Sequence, residues 1–321
     1  MKGSECTMEI GLAFFVYKRP EHTQKVIETI KKNCFERIYV FQDGLKNECD
    51  KKDWLKVQEL IMKWSNMGSE NIEIHISDIN KGLAISIISG IDYVLERNDA
   101  VVALEDDVIL SDRYYEYAKR CFIKYYKSSK VMSICGAVAS DKVFSDQKYM
   151  LQYQESDVVF MPVGSSVAFG TWKDRWMLYR YGKEYAYSVV DNALLCKKIQ
   201  LNGGNFLLSL LRLVVKQPAS IDTWATFWGV TQLLNDGVAV VPIKAVAQDI
   251  GRDGSGTNTT QKVTKFYTTL DNEKTEFLLP EPMGIHGDRY LSRRQDIIVR
   301  YSNFIADVML AVLQIRQRMN L

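Results

Sequence analysis

Three consecutive carboxylates, Glu105, Asp106 and Asp107, close an apolar run from Ala100 to Leu104, and they are the residues of this chain best suited to chemistry. Adjacent acids repel one another unless a cation or a proton neutralises part of their charge. Hard oxygen donors in that number suit a divalent cation, Mn²⁺ or Mg²⁺. Capping of the helix expected near Asp112 is the other use for acids here, but a cap needs one carboxylate rather than three. Other residue types argue mainly by exclusion. The three histidines, His22, His75 and His286, share no ligand spacing, which speaks against zinc. The six cysteines are far apart and form no CxxC pair, so they read as reduced thiols, with Cys121 and Cys135 as small core hydrophobes.

Two further groups invite attention. The tryptophan pairs Trp172 and Trp176, and Trp224 and Trp228, have i, i+4 spacing on predicted helices, so each pair is expected to share a face. Core packing and a platform for a sugar or base both fit that pattern. The segment Gly251 to Asn258 holds three glycines in six residues, which makes either a plain surface loop or one whose backbone closes on a ligand.

Alternating elements must position these residues. Ile10 to Tyr17 predicts a buried strand, and Lys18-Arg19-Pro20-Glu21 turns into a helix with proline in its first turn. Arg37 to Gln42 and Ile72 to Ile76 predict two more strands; between them Trp54 to Trp64 has helical periodicity. Asn80-Lys81-Gly82 opens a helix through Ile87, Ile91 and Leu95, and the strand leading into the acids follows. Such alternation predicts an α/β fold with a mostly parallel, Rossmann-like sheet flanked by helices, and puts the acids at the sheet edge where ligands bind. No GxGxxG follows the first strand, so phosphates would be held by a metal and basic side chains rather than a glycine cradle. Later strands are expected at Val131 to Cys135 and Val238 to Pro242, with Ser140 to Ser156 irregular. The final helix repeats at Ile297, Tyr301, Ile305, Val308, Val312, Ile315 and Met319, which predicts docking onto the body or a second subunit; contact of its arginines with anionic lipid is the alternative.

Composition narrows the class. With 47% hydrophobic and 25% charged residues over 321 positions, the chain has room for a substantial core. A formal net charge of +2 supplies no global field for nucleic acid. The N-terminal residues lack a secretory apolar region and no run reaches the length of a membrane span, so a cytoplasmic protein is expected, with the inner membrane face as a peripheral site.

Phe14-Phe15-Val16-Tyr17-Lys18-Arg19-Pro20, Phe41-Gln42-Asp43-Gly44, Asn80-Lys81-Gly82-Leu83 and Leu104-Glu105-Asp106-Asp107 together resemble the nucleotide-sugar-binding half of GT-A glycosyltransferases, nearest to bacterial sugar transferases allied to N-acetylglucosaminyltransferase I. The Trp172 and Trp224 clusters and the loop from Ile250 to Thr257 are similar to the acceptor half of that group. The resemblance implies a donor half over residues 1–135, an acceptor half over 136–260, and a C-terminal extension over 261–321 carrying the amphipathic helix. It implies Mn²⁺ on Asp107, bridging the donor diphosphate, with Glu105 and Asp106 at the donor sugar and ribose. Val16, Tyr17, Arg19 and Asp43 would hold the nucleoside and Lys81 would lie near the diphosphate. Asp222, from its place before Thr223-Trp224, would be the general base of an inverting hexosyl or N-acetylhexosaminyl transfer. Trp172, Trp224 and Gly254, Ser255, Gly256 and Thr257 would meet substrate, the last four as part of a lid. Where relatives end that loop in histidine, this chain has Asn258. The implied partners are a nucleotide-sugar donor, UDP above all, and a glycan or lipid-linked acceptor in bacterial surface-polysaccharide synthesis. A nucleotidyltransferase acting on sugar phosphates, or a non-catalytic nucleotide-sugar-binding protein, are the rival readings.

Overall fold

The computed structural model describes residues 8–67, 71–217, 222–251, 268–274, 276–282 and 285–300. The first hundred residues form the alternation expected: β1 (Ile10–Val16), α1 (Pro20–Lys31), β2 (Arg37–Gln42), α2 (Lys51–Ser65), β3 (Ile72–Ile76), α3 (Leu83–Arg97) and β4 (Ala100–Glu105). β1 lies between β2 and β4, and β2 pairs with β3, all in parallel. Every residue of β1 is buried, as a strand covered by helices on both faces must be. Alternate side chains divide between the faces. Leu12, Phe14 and Val16 join Val26, Ile27 and Ile30 of α1 and Val57, Ile61 and Trp64 of α2. Ala13 and Phe15 join Ala84, Ile87, Ile91 and Val94 of α3. Each such large apolar side chain contributes about 1.5–3 kcal/mol on burial.

Beyond β4 the chain departs from simple alternation. β4 ends at Glu105, the chain turns through Asp106 and Asp107, and Val108–Leu110 forms a separate strand, β5. α4 (Tyr114–Tyr125) then leads to β6 (Val131–Ile134), and two strands that the sequence pattern does not announce follow, β7 (Val158–Met161) and β8 (Phe169–Trp172). β9 (Val238–Pro242) completes an eight-stranded sheet in the order β3-β2-β1-β4-β8-β6-β9-β7. Six of its strands run the same way, because β8 is antiparallel to both β4 and β6, β6 and β9 are parallel, and only β7 and β8 reverse. The fold is therefore α/β with a mostly parallel sheet flanked by helices. Ser140 to Ser156, expected to be irregular, consists of short helical turns.

Four helices gather on the second half: α7 (Lys183–Val190), α8 (Ala193–Leu201), α9 (Asn205–Lys216) and α10 (Ala225–Leu234), packed through Ala186, Ile199, Leu208, Leu211, Phe227 and Leu233. Arg175, in the single-turn α6 (Lys173–Trp176), is buried and donates to the carbonyls of Tyr125, Tyr126, Ser128 and Val131, tying the end of α4 to β6. Residues 289–300 are helical; the rest of the expected C-terminal helix, from Tyr301 to Met319, lies outside the described residues. Cys34, Cys49, Cys121, Cys135 and Cys196 are free thiols, with Cys121 and Cys135 buried as expected. Among the described residues no helix is long and apolar enough to cross a membrane.

Candidate functional site

The strand ends of β1, β2 and β4 open on one cavity of about 250 Å³ at the C-terminal edge of the parallel strands. Of the residues singled out from sequence, Val16, Tyr17, Arg19, Asp43, Glu105, Asp106, Asp107 and Asp222 all line it. The aligned register of β1 and β4, which pairs Phe15 with Glu105, is what carries Tyr17 and Arg19 to the acids.

The acidic end is held by one guanidinium. Arg19 donates through Nε to Asp106 Oδ1 at 3.0 Å and forms an ion pair with Asp107 Oδ2 at 2.9 Å. Asp106, 5% exposed, also accepts from the Tyr17 backbone N–H at 3.4 Å. Two strands outside the main sheet bring up a fourth acid. β10 (Ala247–Asp249) pairs antiparallel with β5, placing Asp249 opposite Val108, and Ile250 N–H donates to the Asp107 carbonyl at 2.8 Å. Asp249 lines the same cavity. Burial and then repulsion from Asp107 and Asp106 push the Glu105 carboxyl well above the ordinary carboxylate range. Asp107 is raised in the same sense by burial, with Arg19 pulling the other way. Crowded carboxylates of this kind are hard oxygen donors, although among the described residues no group of three or more is arranged to hold a metal ion.

Gly251 is required for that arrangement. A Cβ there would lie 2.1 Å from Asp107 Oδ2, so only glycine lets this backbone pass the carboxylate.

On β1 and β2, beside the acids, the cavity wall is aromatic. Phe15 and Phe41 stack at 5.3 Å, and Phe41 stacks on His75 at 5.0 Å; Phe15 and Phe41 both line the cavity. Lys18 and Lys46 line the cavity as well as Arg19. Lys18 is paired with Asp50 at 2.6 Å, which holds the Asp50 carboxyl below its usual range, and the Tyr17 hydroxyl donates to Asp50 while accepting from Lys46 N–H.

Two carboxylates occupy the start of α3. Asp43, at the end of β2, accepts from the N–H groups of Gly44, Lys81 and Gly82 and from the Asn80 amide, at 2.9–3.0 Å. Asp222 accepts from Leu83 N–H at 2.6 Å and Ala84 N–H at 2.8 Å. Together they satisfy four successive backbone donors leading into the helix, where the dipole favours negative charge. Gly82 makes the approach feasible: its φ is +81°, and a Cβ would stand 2.8 Å from Asp222 Oδ2. Asp43 thus braces the 80–82 turn, and Asp222 fastens the second half of the chain to a helix of the first.

Several expectations need correction. Trp172 ends β8 and Trp176 ends α6, so this pair does not share a helix face. Trp172 is fully buried, its indole N–H donating to the Phe122 carbonyl, and it is core rather than a sugar platform. Trp224 is 3% exposed and packs edge-on against Phe169, and it lines a second cavity of about 340 Å³. Lys81 is exposed and only its backbone N–H, bound to Asp43, serves the site. Gly254, Ser255, Gly256 and Thr257, with the rest of the expected lid after Gly251, lie outside the described residues. Sequence reasoning missed Phe15 and Phe41 as an aromatic wall and Asp249 as a neighbour of Asp107; a carboxylate followed within two residues by glycine, Asp249-Ile250-Gly251, was the available signal.

A larger cavity, about 760 Å³, lies toward the starts of β6 and β9, at the other edge of the sheet. Its carboxylates are engaged: Asp236 with Lys198, and Asp288 with the hydroxyls of Tyr149 and Tyr153.

No protein-family model matches the chain, and no curated protein matches it in sequence. Solved structures that it partly overlays include a mannosyltransferase from Pyrobaculum calidifontis in complex with GDP-mannose and Mn²⁺, at 10% identity and a TM-score of 0.39, over 52% of this chain and 45% of that one. TarS residues 1–349 of S. aureus give 10% identity and a TM-score of 0.44 over 75% of this chain and 60% of that one. A putative glucose-1-phosphate thymidylyltransferase from Bacillus anthracis gives 11% identity and 0.32 over 57% and 75%. The chain thus spans less than two thirds of the first two proteins, and what its site can do rests on its own residues.

Proposed function

We propose that the protein is a metal-dependent GT-A glycosyltransferase that moves a hexosyl or N-acetylhexosaminyl group from a nucleotide donor, UDP in the first place, to an acceptor hydroxyl with inversion. One observation carries this reading: a single cavity joins a crowded acid cluster to a stacked aromatic wall and meets a second cavity at Asp249. A nucleoside diphosphate sugar has the matching sequence of parts, a flat base, a dianionic bridge and a polyhydroxy ring. Phe15 and Phe41 would stack the base. Lys18, Arg19 and Lys46 would flank the phosphates.

The donor type suits Mn²⁺ or Mg²⁺, because hard carboxylate oxygens are what such ions take. Asp107 would hold the ion, with Asp249 as the second carboxylate. When bound, the ion would neutralise charge developing on the leaving diphosphate. Arg19 would then keep Asp106 and Asp107 oriented.

Asp222 is the proposed general base. Its carboxylate is oriented by two helix N–H groups and lines the donor cavity, while its neighbour Thr223 lines the second one. It would take the acceptor's hydroxyl proton as that oxygen bonds to the anomeric carbon and the bond to the diphosphate breaks.

Calorimetric titration with UDP should show affinity that depends on Mn²⁺ and is lost in Asp107→Asn. Asp222→Asn should keep donor affinity and cut transfer by about a hundredfold or more. UDP affinity that ignores Mn²⁺ would overturn the metal assignment, and pyrophosphate release from UTP and a sugar phosphate would identify a nucleotidyltransferase instead.

A further inference from the structure

We propose that the acceptor is a neutral glycoside bearing an apolar tail or aglycone, and that the apolar part lies in the second cavity; the proposal rests on the glycosyl-transfer reading. That cavity, about 340 Å³, falls within the roughly 300–1,000 Å³ of small-ligand pockets. It is continuous in function with the donor cavity because Asp249 lines both. A group held there would present its polar end where Asp222, Thr223 and Asp249 converge.

The walls specify the chemistry. α9 buries Leu208, Leu211 and Val214 in the helical cluster, and that stripe is sufficient to anchor it. Yet Phe206, Leu207 and Leu210 are also apolar, remain partly exposed, and line the cavity together with Val299 of the helical residues 289–300. An apolar surface beyond what packing needs marks a place for an apolar ligand. Hydroxyls of Ser165, Ser166, Thr223 and Thr226 stand among them, as suits a neutral polyhydroxy partner. The Trp228 indole N–H, in the wall of the same cavity, is buried with no acceptor, and a ligand hydroxyl reached by a small shift of that wall would relieve it.

Charge rules out the obvious competitor, an acceptor headed by phosphate. Among the described lining residues there is no lysine or arginine. The two charged residues are carboxylates, and Asp296 is already engaged by Phe206 N–H at 2.7 Å and Arg300 Nε at 3.0 Å. Among the described lining residues a phosphate would find no cation to pair with.

Three probes below micellar concentration decide the matter on the wild-type protein: octyl glucoside, methyl glucoside and octyl phosphate, followed by calorimetry or saturation-transfer NMR. Octyl glucoside should bind at least about tenfold more tightly than either of the others, since buried methylenes supply the difference from methyl glucoside and the lack of a lining cation among the described residues the difference from octyl phosphate. Leu210→Arg should weaken octyl glucoside by about tenfold and strengthen octyl phosphate, with Leu210→Ala giving a smaller loss. Equal binding of the two glucosides, or tighter binding of octyl phosphate, would overturn the proposal whatever the variants do. UDP with Mn²⁺, titrated into the same sample, separates the two readings. UDP binding without octyl preference rejects the cavity assignment alone; octyl preference without UDP binding rejects the transferase reading and leaves the cavity as an amphiphile site.

Discussion

At Glu105 and Asp107 the folded chain holds protons more tightly than the unfolded chain does, because burial and neighbouring acids disfavour the ionised forms. Both pKa values lie above their unfolded values, so the associated stability is complete below the ordinary carboxyl range and is lost as pH rises through the raised values. With a chelator present, the melting temperature should therefore fall by several degrees between about pH 5 and pH 8.5. Saturating Mn²⁺ should flatten that slope by supplying positive charge, and Asp107→Asn should flatten it without metal. A chelated wild-type protein whose melting temperature is constant or rises over this range would show that the acids are not crowded. These residues were legible in the sequence because three adjacent carboxylates after an apolar run need a charge partner wherever the chain goes. Asp249 was not, since its value comes from a ladder with β5 that no local periodicity announces. Trp172 misled for a related reason: the i, i+4 spacing holds, but a strand-to-helix boundary falls between Trp172 and Trp176, and spacing alone does not register it.

Among the elements, the pairing of β5 with β10 depends most on one residue. Gly251→Ala would set a methyl 2.1 Å from Asp107 Oδ2, so either the carboxylate or the strand must move. Overpacking of this kind costs about 1–3 kcal/mol. If the displacement is taken up at Asp107, UDP affinity in Mn²⁺ should drop by about tenfold or more while the melting temperature shifts little. Unchanged affinity would mean that the loop yields and Asp107 does not need it. The parallel strands β1, β2, β3 and β4 could be read from sequence because β1, β2 and β4 are largely apolar runs and β3 alternates isoleucine with polar residues, with helical periods between them. β7 and β8 could not: each has four residues, and β8 includes Gly170, whose missing side chain makes room for Ile134 and Phe122 rather than signalling a strand.

For the molecule as a whole, strand order separates two kinds of contact. β1, β2 and β3 pair with strands near them in the chain, as Gly11 does with Arg37 and Ile38 with Ile72, whereas β4 pairs with β1 from Ala100 back to Ile10, β8 inserts between β4 and β6, and β6 waits for β9. Contacts near in sequence lose less loop entropy on closing and form sooner. Pulse-labelled hydrogen exchange during refolding should protect β1, β2 and β3 before β6, β8 and β9, with UDP binding recovered only in the later phase. Simultaneous protection of all six strands would count against this order.

The clasp of Asp222 on α3 has a further consequence during protein synthesis. The nascent chain exposes Glu105, Asp106 and Asp107 well before Asp222 and Asp249 have been translated, so α3 starts its life with two backbone donors, on Leu83 and Ala84, turned to water. A ribosome-bound chain that ends before Asp222 would thus carry the acids and the aromatic wall but neither the proposed base nor the second carboxylate.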